Sequence, residues 1–152
     1  MRSVLTDSER AFVVGARTAT LATIATDGHP RLVPICFVLI DDVVWFPLDE
    51  KPKTVDDMRE LARVRDIERD DRVALLVDRW SEDWSDLAWV RIDGRAKLLR
   101  ADPAVIAALR SKYPQYASHD LESRPMIAIT IERTRTWTAS SAESNAPRRS
   151  VE

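Results

Sequence analysis

Glycine is nearly missing from this 152-residue chain: Gly15, Gly28 and Gly94 are all it has. Three scattered glycines build neither the G-x-G-x-x-G turn of a dinucleotide-binding fold nor a Walker phosphate loop. Any bound phosphate must therefore be held by side chains and a helix end. Cysteine is reduced to Cys36. That excludes an internal disulfide, and no Cys/His spacing suits a zinc site. Neither sign of charge dominates: 23 Lys and Arg stand against 25 Asp and Glu, a net charge of -2. A general nucleic-acid binder needs a basic surplus to displace counterions, so that class is disfavoured. Long apolar runs are absent as well. The longest, VPICFVLI at 33–40, falls well short of the roughly 20 residues of a membrane span. No apolar leader core follows Met1, so no secretory signal is expected and the cytoplasm is the expected compartment.

What the chain does contain is an alternation of strand and helix patterns. Thr6 with Glu9 forms a capping box that opens a helix over 6–16, closed by Gly15. RTATLATIAT (17–26) and RLVPICFVLI (31–40) read as strands around the turn TDGHP, where Asp-Gly accepts positive φ. Pro34 has no N–H to give a ladder, so its position is expected at an edge, a bulge or an opening. Asp41-Asp42 turns the chain into a third strand, VVWFP (43–47). The period then changes, and TVDDMRELARVRDIER (54–69) reads as a helix capped by Thr54 and Asp57. Further strands are expected over 71–78, over 87–100 with Gly94 as a bulge, and over 126–137. Asp102-Pro103 opens a helix to about Tyr113. Six strands with two or three inserted helices predict one small, mainly antiparallel β-barrel with α additions over residues 1–140. The polar stretch 141–152 reads as a flexible tail.

Lysine is scarce, at Lys51, Lys53, Lys97 and Lys112, yet two of the four flank Pro52 directly before Thr54. Residues i and i+2 of an extended segment share a side, so both ammonium groups can converge on one anion. A helix start at Thr54 would add open N–H groups and a favourable dipole. The plainer reading is a surface pair balanced by Asp49, Glu50, Asp56 and Asp57.

TATLATIATDGHPRLVPICFVLI, DEKPKT, LARVRDIERDDRVALLVD, EDW and LAWVRIDGRA follow one another in this order. In that order the chain, from about residue 10 to residue 137, resembles the flavin and deazaflavin oxidoreductases related to pyridoxamine 5′-phosphate oxidase. The match is nearest to their actinobacterial F-420-dependent subgroup. The resemblance implies a split β-barrel, a homodimer, and cofactor sites in clefts between the subunits. It implies that Lys51, Lys53 and Thr54 hold the cofactor phosphate. It implies that Val33, Pro34, Ile35 and Cys36 lie along the tricyclic ring, and that Trp84 stands near the site, reached from the other subunit. Two departures stand out: family members usually carry Asn at Asp66 and Asn-Pro at Asp70-Asp71.

Five tryptophans are many for this length. Trp45, Trp89 and Trp137 fall on expected strands and read as packing residues. Trp80 and Trp84 fall in a polar loop, as a lid or ring-stacking group or as interface contacts. Cys36 reads as a small buried hydrophobe. Neither His29 nor His119 is expected to act as a base. The helix arginines, among them Arg63 and Arg65, read as a solvated face, or as contacts to an acidic cofactor tail. The expected function is hydride transfer from coenzyme F-420 to a small unsaturated acceptor. The alternatives are an FMN-dependent oxidase or reductase of the same fold, and a non-catalytic cofactor- or ligand-binding protein. No metal, nucleic-acid or membrane partner is expected.

Overall fold

A computed structural model gives the structure of residues 3–48 and 61–139. The first helix, α1 (Asp7–Gly15), starts as the capping box requires. Thr6 Oγ1 accepts from the Glu9 N–H at 3.1 Å, and Glu9 Oε1 accepts from the Thr6 N–H at 2.9 Å. The strands β1 (Ala19–Ile24) and β2 (Pro30–Ile35) pair antiparallel across a turn in which Gly28 takes φ +86°. Then follow β3 (Val38–Ile40), β4 (Val43–Pro47), α2 (Ala62–Arg69), β5 (Arg72–Arg79) and β6 (Ala88–Arg100), and finally α3 (Pro103–Lys112) and β7 (Pro125–Thr138). Asp102 caps α3, accepting from the Val105 N–H at 3.1 Å, with Pro103 at the first helical position.

Among the described residues these strands form one seven-stranded antiparallel sheet in the order β2-β1-β5-β6-β7-β4-β3. The expected strand 31–40 is in fact two strands. β2 ends at Ile35 and β3 begins at Val38, at opposite edges of the sheet. Three Cα steps, at most about 11 Å, separate those ends. The sheet therefore rolls until its edges face each other without pairing, a split barrel with seven strands rather than the expected six. Pro34 lies on the edge strand β2, where a missing N–H costs no ladder bond. The interior is filled by the inward row of each strand, including Leu21, Phe46, Leu75, Ile92 and Ile129. A second cluster of Val105, Leu109, Tyr113 and Met126 fixes α3 to the outside, with Trp45 packed half-buried against it.

The split is bridged by side chains. Tyr113 Oη accepts from the Phe37 N–H at 3.1 Å and donates to the Arg17 carbonyl at 2.8 Å. Lys112 Nζ donates to the Phe37 carbonyl at 3.0 Å and sits 4.0 Å from the centre of the Phe37 ring. Both backbone groups of Phe37, which no neighbouring strand takes, are satisfied in this way. Burial brings the Lys112 ammonium down to about 8.

Two further expectations meet the structure differently. The bulge at Gly94 is present, as a register shift between Asp93 and Gly94 against β7. The single helix over 54–69 is not. Leu61 is extended, with φ -64° and ψ 136°, and α2 begins at Ala62 without a side-chain cap. A residue with ψ near 136° cannot pass on the helical hydrogen-bond pattern, so α2 starts at Ala62 rather than running on from before Leu61. Lys51, Lys53 and Thr54 lie outside the described residues, as does the expected tail at 141–152.

Candidate functional site

β2 is the element on which the ring-binding residues were expected. It has a ladder partner on one side, β1, and the barrel opening on the other. Its free edge leaves backbone donors and acceptors without strand partners, the usual condition of an edge strand. Along it Val33 is half-buried, Pro34 is exposed and Ile35 is buried in the barrel core. Cys36 is corrected from a strand residue to the first residue of the crossing between the edges, and from buried to half-buried. Rolling the sheet forces this crossing, and the crossing lifts Cys36 out of the interior row.

Trp84 opens a short 3-10 turn, Trp84–Asp86, between β5 and β6. Asp83 caps that turn, accepting from the Ser85 N–H at 3.1 Å. Trp84 is 69% exposed and Trp80 65%. Core packing thus accounts for neither indole. The register shows where the loop stands. Ile35 pairs with Ala19, Thr20 pairs with Leu76, and β5 runs on to Arg79 opposite Ala88. The loop and the Ile35 end of β2 therefore lie toward one end of the sheet, on strands two spacings, or roughly 10 Å, apart.

The same register places Leu32, Ala22 and Ala74 in one outward row, and Pro34, Thr20 and Leu76 in the next. Leu32 is 67% exposed and Leu76 39%. This outward face of β2, β1 and β5 carries exposed apolar side chains that no described residue covers.

Clefts lined by described residues border these strands, two of them relevant here. The wider, about 540 Å³, lies over β1, β5, β6 and β7, with Ala22, Ala74 and Gly94 among its lining residues. Its cations are engaged: Arg95 with Asp71 at 2.8 Å and Glu132 at 3.3 Å, Arg133 with Asp93 at 2.8 Å. The smaller, about 380 Å³, lies between β2 and α2. Its floor is Asp66, which accepts from Thr23 Oγ1 and from Arg31 Nε, each at 2.7 Å. Burial alone would raise the Asp66 carboxyl, but these hydrogen bonds and the charges of Arg31 and Arg69 hold it below the usual range. Reading the sequence missed the Arg31–Asp66 pair. The available signal was an acidic residue, Asp66, between Val64 and Ile67 on the helix side that turns inward.

Among the described residues no group of three or more His, Cys, Asp or Glu side chains could hold a metal. No described helix is long and apolar enough to cross a membrane.

Residues 5–138 match the family model described as pyridoxamine 5′-phosphate oxidase. Solved structures share the fold. Rv2991, a conserved Mycobacterium tuberculosis protein, aligns with a TM-score of 0.72 at 23% identity, over 100% of this chain and 98% of that one. An F420 reductase aligns with 0.65 at 17% identity, over 86% and 98%. A pyridoxamine 5′-phosphate oxidase-like protein of Listeria innocua aligns with 0.62 at 19% identity, over 86% and 95%. No protein of curated function matches the chain.

Proposed function

Because the chain belongs to the pyridoxamine 5′-phosphate oxidase family, we propose that it is a flavin- or deazaflavin-dependent oxidoreductase, with coenzyme F-420 its cofactor in preference to FMN. Its substrate is then a small unsaturated organic acceptor. The observation that carries this reading is β2, an edge strand with one ladder partner that faces the opening of the barrel. A flat ring with polar atoms along one side fits such an edge. It can take the backbone groups that a further strand would have taken, while Val33 and Cys36 give it half-buried, weakly polar neighbours. Similarity of fold to an F420 reductase supports the preference for the deazaflavin.

When bound, the ring supplies the hydride chemistry. The chain binds, orients and shields. Lys51, Lys53 and Thr54 grip the cofactor phosphate, and Val33, Pro34, Ile35 and Cys36 align the ring. Trp84 covers it, from a second copy of the chain. Two copies meet through the apolar outward face of β2, β1 and β5, which a monomer would leave wet. Leu32→Glu places a charge in that face and should convert a sedimenting dimer into a monomer. The compartment is the cytoplasm.

The test is a titration of the purified protein with F-420 and with FMN, followed by absorbance and fluorescence. Removing a charge-assisted phosphate contact costs roughly 1.5–3 kcal/mol, so Lys53→Ala and Lys51→Ala should each weaken binding about tenfold or more. Unchanged binding of both cofactors by both variants would refute the lysine grip. Tight binding of FMN and none of F-420 would move the activity to a flavin enzyme. A tight complex that turns over no acceptor would make the protein a cofactor carrier.

A further inference from the structure

Phe37 belongs to neither edge strand, and its two backbone groups are taken by the C-terminal end of α3. Tyr113 does more than satisfy them. Its hydroxyl accepts from the Phe37 N–H at 3.1 Å and donates to the Arg17 carbonyl at 2.8 Å. Arg17 returns the contact: its Nη2 donates to the Lys112 carbonyl at 2.8 Å, and its guanidinium lies 4.7 Å from the centre of the Tyr113 ring. Arg17 shortly precedes Ala19, which pairs with Ile35. The Ala19–Ile35 end of the β1–β2 ladder is therefore tied to α3 on both strands, through Arg17 on one and Phe37 on the other.

Tyr113 is 6% exposed, so water competes little for its hydroxyl. Its ring is held in the cluster of Val105, Leu109 and Met126 that seats α3, and Cys36 packs against that same cluster. Lys112 adds a second hold on the Phe37 carbonyl, with Nζ at 3.0 Å. Burial brings its ammonium down to about 8. The bond is therefore made at a cost in hydration, unlike the contact of a lysine resting at the surface. An edge strand has a ladder on one side only, and its end frays unless something else holds it. α3 supplies that hold at the end of β2 where Ile35 and Cys36 lie.

We propose that Tyr113, seconded by Lys112 and Arg17, is a positioning residue: it fixes the Ile35–Cys36 end of β2 where a flat ring can lie along the strand. This rests on β2 being the ring-binding strand. The clasp acts through the backbone of Phe37 and Arg17, and it needs neither Lys51 nor Lys53.

Cys36 is the one thiol of the chain, so its alkylation by iodoacetamide reports on the crossing in the full chain without added cofactor. Tyr113→Phe keeps the ring and removes the hydroxyl, and alkylation should quicken about tenfold. Lys112→Met removes one bond and should quicken it about threefold. A thermal melt checks that both variants fold. Thr134→Val is the control. It removes a bond between β7 and α1, from Thr134 Oγ1 to Glu9 at 3.1 Å, and should leave the thiol rate at the parent's value although the melting temperature falls. Titration with F-420 and with FMN is the second measurement. Tyr113→Phe should bind the parent's cofactor about threefold more weakly, because a loosened strand end must be ordered again on binding. The absorbance band of the bound ring should also move toward that of the free cofactor. Parent-like alkylation in both Tyr113→Phe and Lys112→Met overturns the clasp. So does an equal rise in Thr134→Val, since lost overall stability would then explain the rates. Faster alkylation with unchanged affinity and spectrum overturns the positioning role. If the parent binds neither cofactor, the reading of β2 falls, and the thiol rates alone uphold or overturn the clasp.

Discussion

The two clefts beside β1 and β5 contain similar residues and use them in opposite ways. In the wide cleft three arginines, Arg72, Arg95 and Arg133, are each matched by a nearby carboxylate: Asp70, Asp71 with Glu132, and Asp93. These are exposed pairs, worth little in stability, and they leave no charge for a ligand. In the small cleft Arg31 and Arg69 share one buried carboxylate, Asp66, and Arg65 lines the same wall without pairing to it. Size ranks the clefts one way and burial of the paired charge ranks them the other. Burial decides which pairs the fold depends on, because a carboxylate withdrawn from water suffers most when its partners are removed.

Substitutions can sharpen this contrast. The largest expected effect is at the floor of the wide cleft. A Cβ on Gly94 would lie 2.4 Å from the Thr130 carbonyl oxygen and 2.9 Å from the Ile129 side chain. Backbone cannot swing aside, so Gly94→Ala should cost about 3 kcal/mol and lower the melting temperature by roughly 10 °C. A parent-like melting curve would show that the bulge relaxes.

Asp66→Ala comes next. It leaves Thr23 and Arg31 without their acceptor and should cost about 2 kcal/mol in urea unfolding. A smaller effect appears on the acid side. The folded carboxyl of Asp66 lies below its unfolded value, so its contribution is complete above about pH 4 and is lost as pH falls through the folded value. Asp66→Asn should therefore flatten the decline of stability below pH 4 relative to the parent. An unchanged slope would mean that other carboxylates carry the acid transition.

The smallest effect is expected in the wide cleft. Arg95→Ala removes two exposed, solvent-screened pairs and should leave the urea unfolding midpoint close to that of the parent. A clear drop of that midpoint would erase the distinction between the clefts.

Much of the barrel could be read from residue patterns. Thr6 with Glu9, and Asp102 with Pro103, mark helix starts through bonds to residues three positions away, and both caps are present. The Gly94 bulge and the edge position of Pro34 follow from one residue's chemistry, and both hold. Two expectations failed for a shared reason. A continuous apolar pattern crosses Cys36 and Phe37, and a continuous helical pattern crosses Leu61, so neither break shows in the periodicity. Tertiary geometry imposes the first: to roll a seven-stranded sheet the chain must leave one edge and join the other between Ile35 and Val38. Val33, Pro34 and Ile35, which the family pattern sets in consecutive positions, lie together on the edge strand β2. Arg31 and Asp66 are 35 positions apart and meet only once β2 and α2 are packed.

Local chemistry therefore settled the caps, the turn at Gly28, the inward rows of the strands and the family to which they belong. Each depends on neighbours within a few residues, where backbone geometry leaves few choices. Folding in three dimensions decided which strand became the open edge, that Cys36 and Phe37 would span the split, and that Arg31 and Arg69 would share one carboxylate. Those outcomes depend on which distant surfaces exclude water together, and no short window of the chain contains both partners.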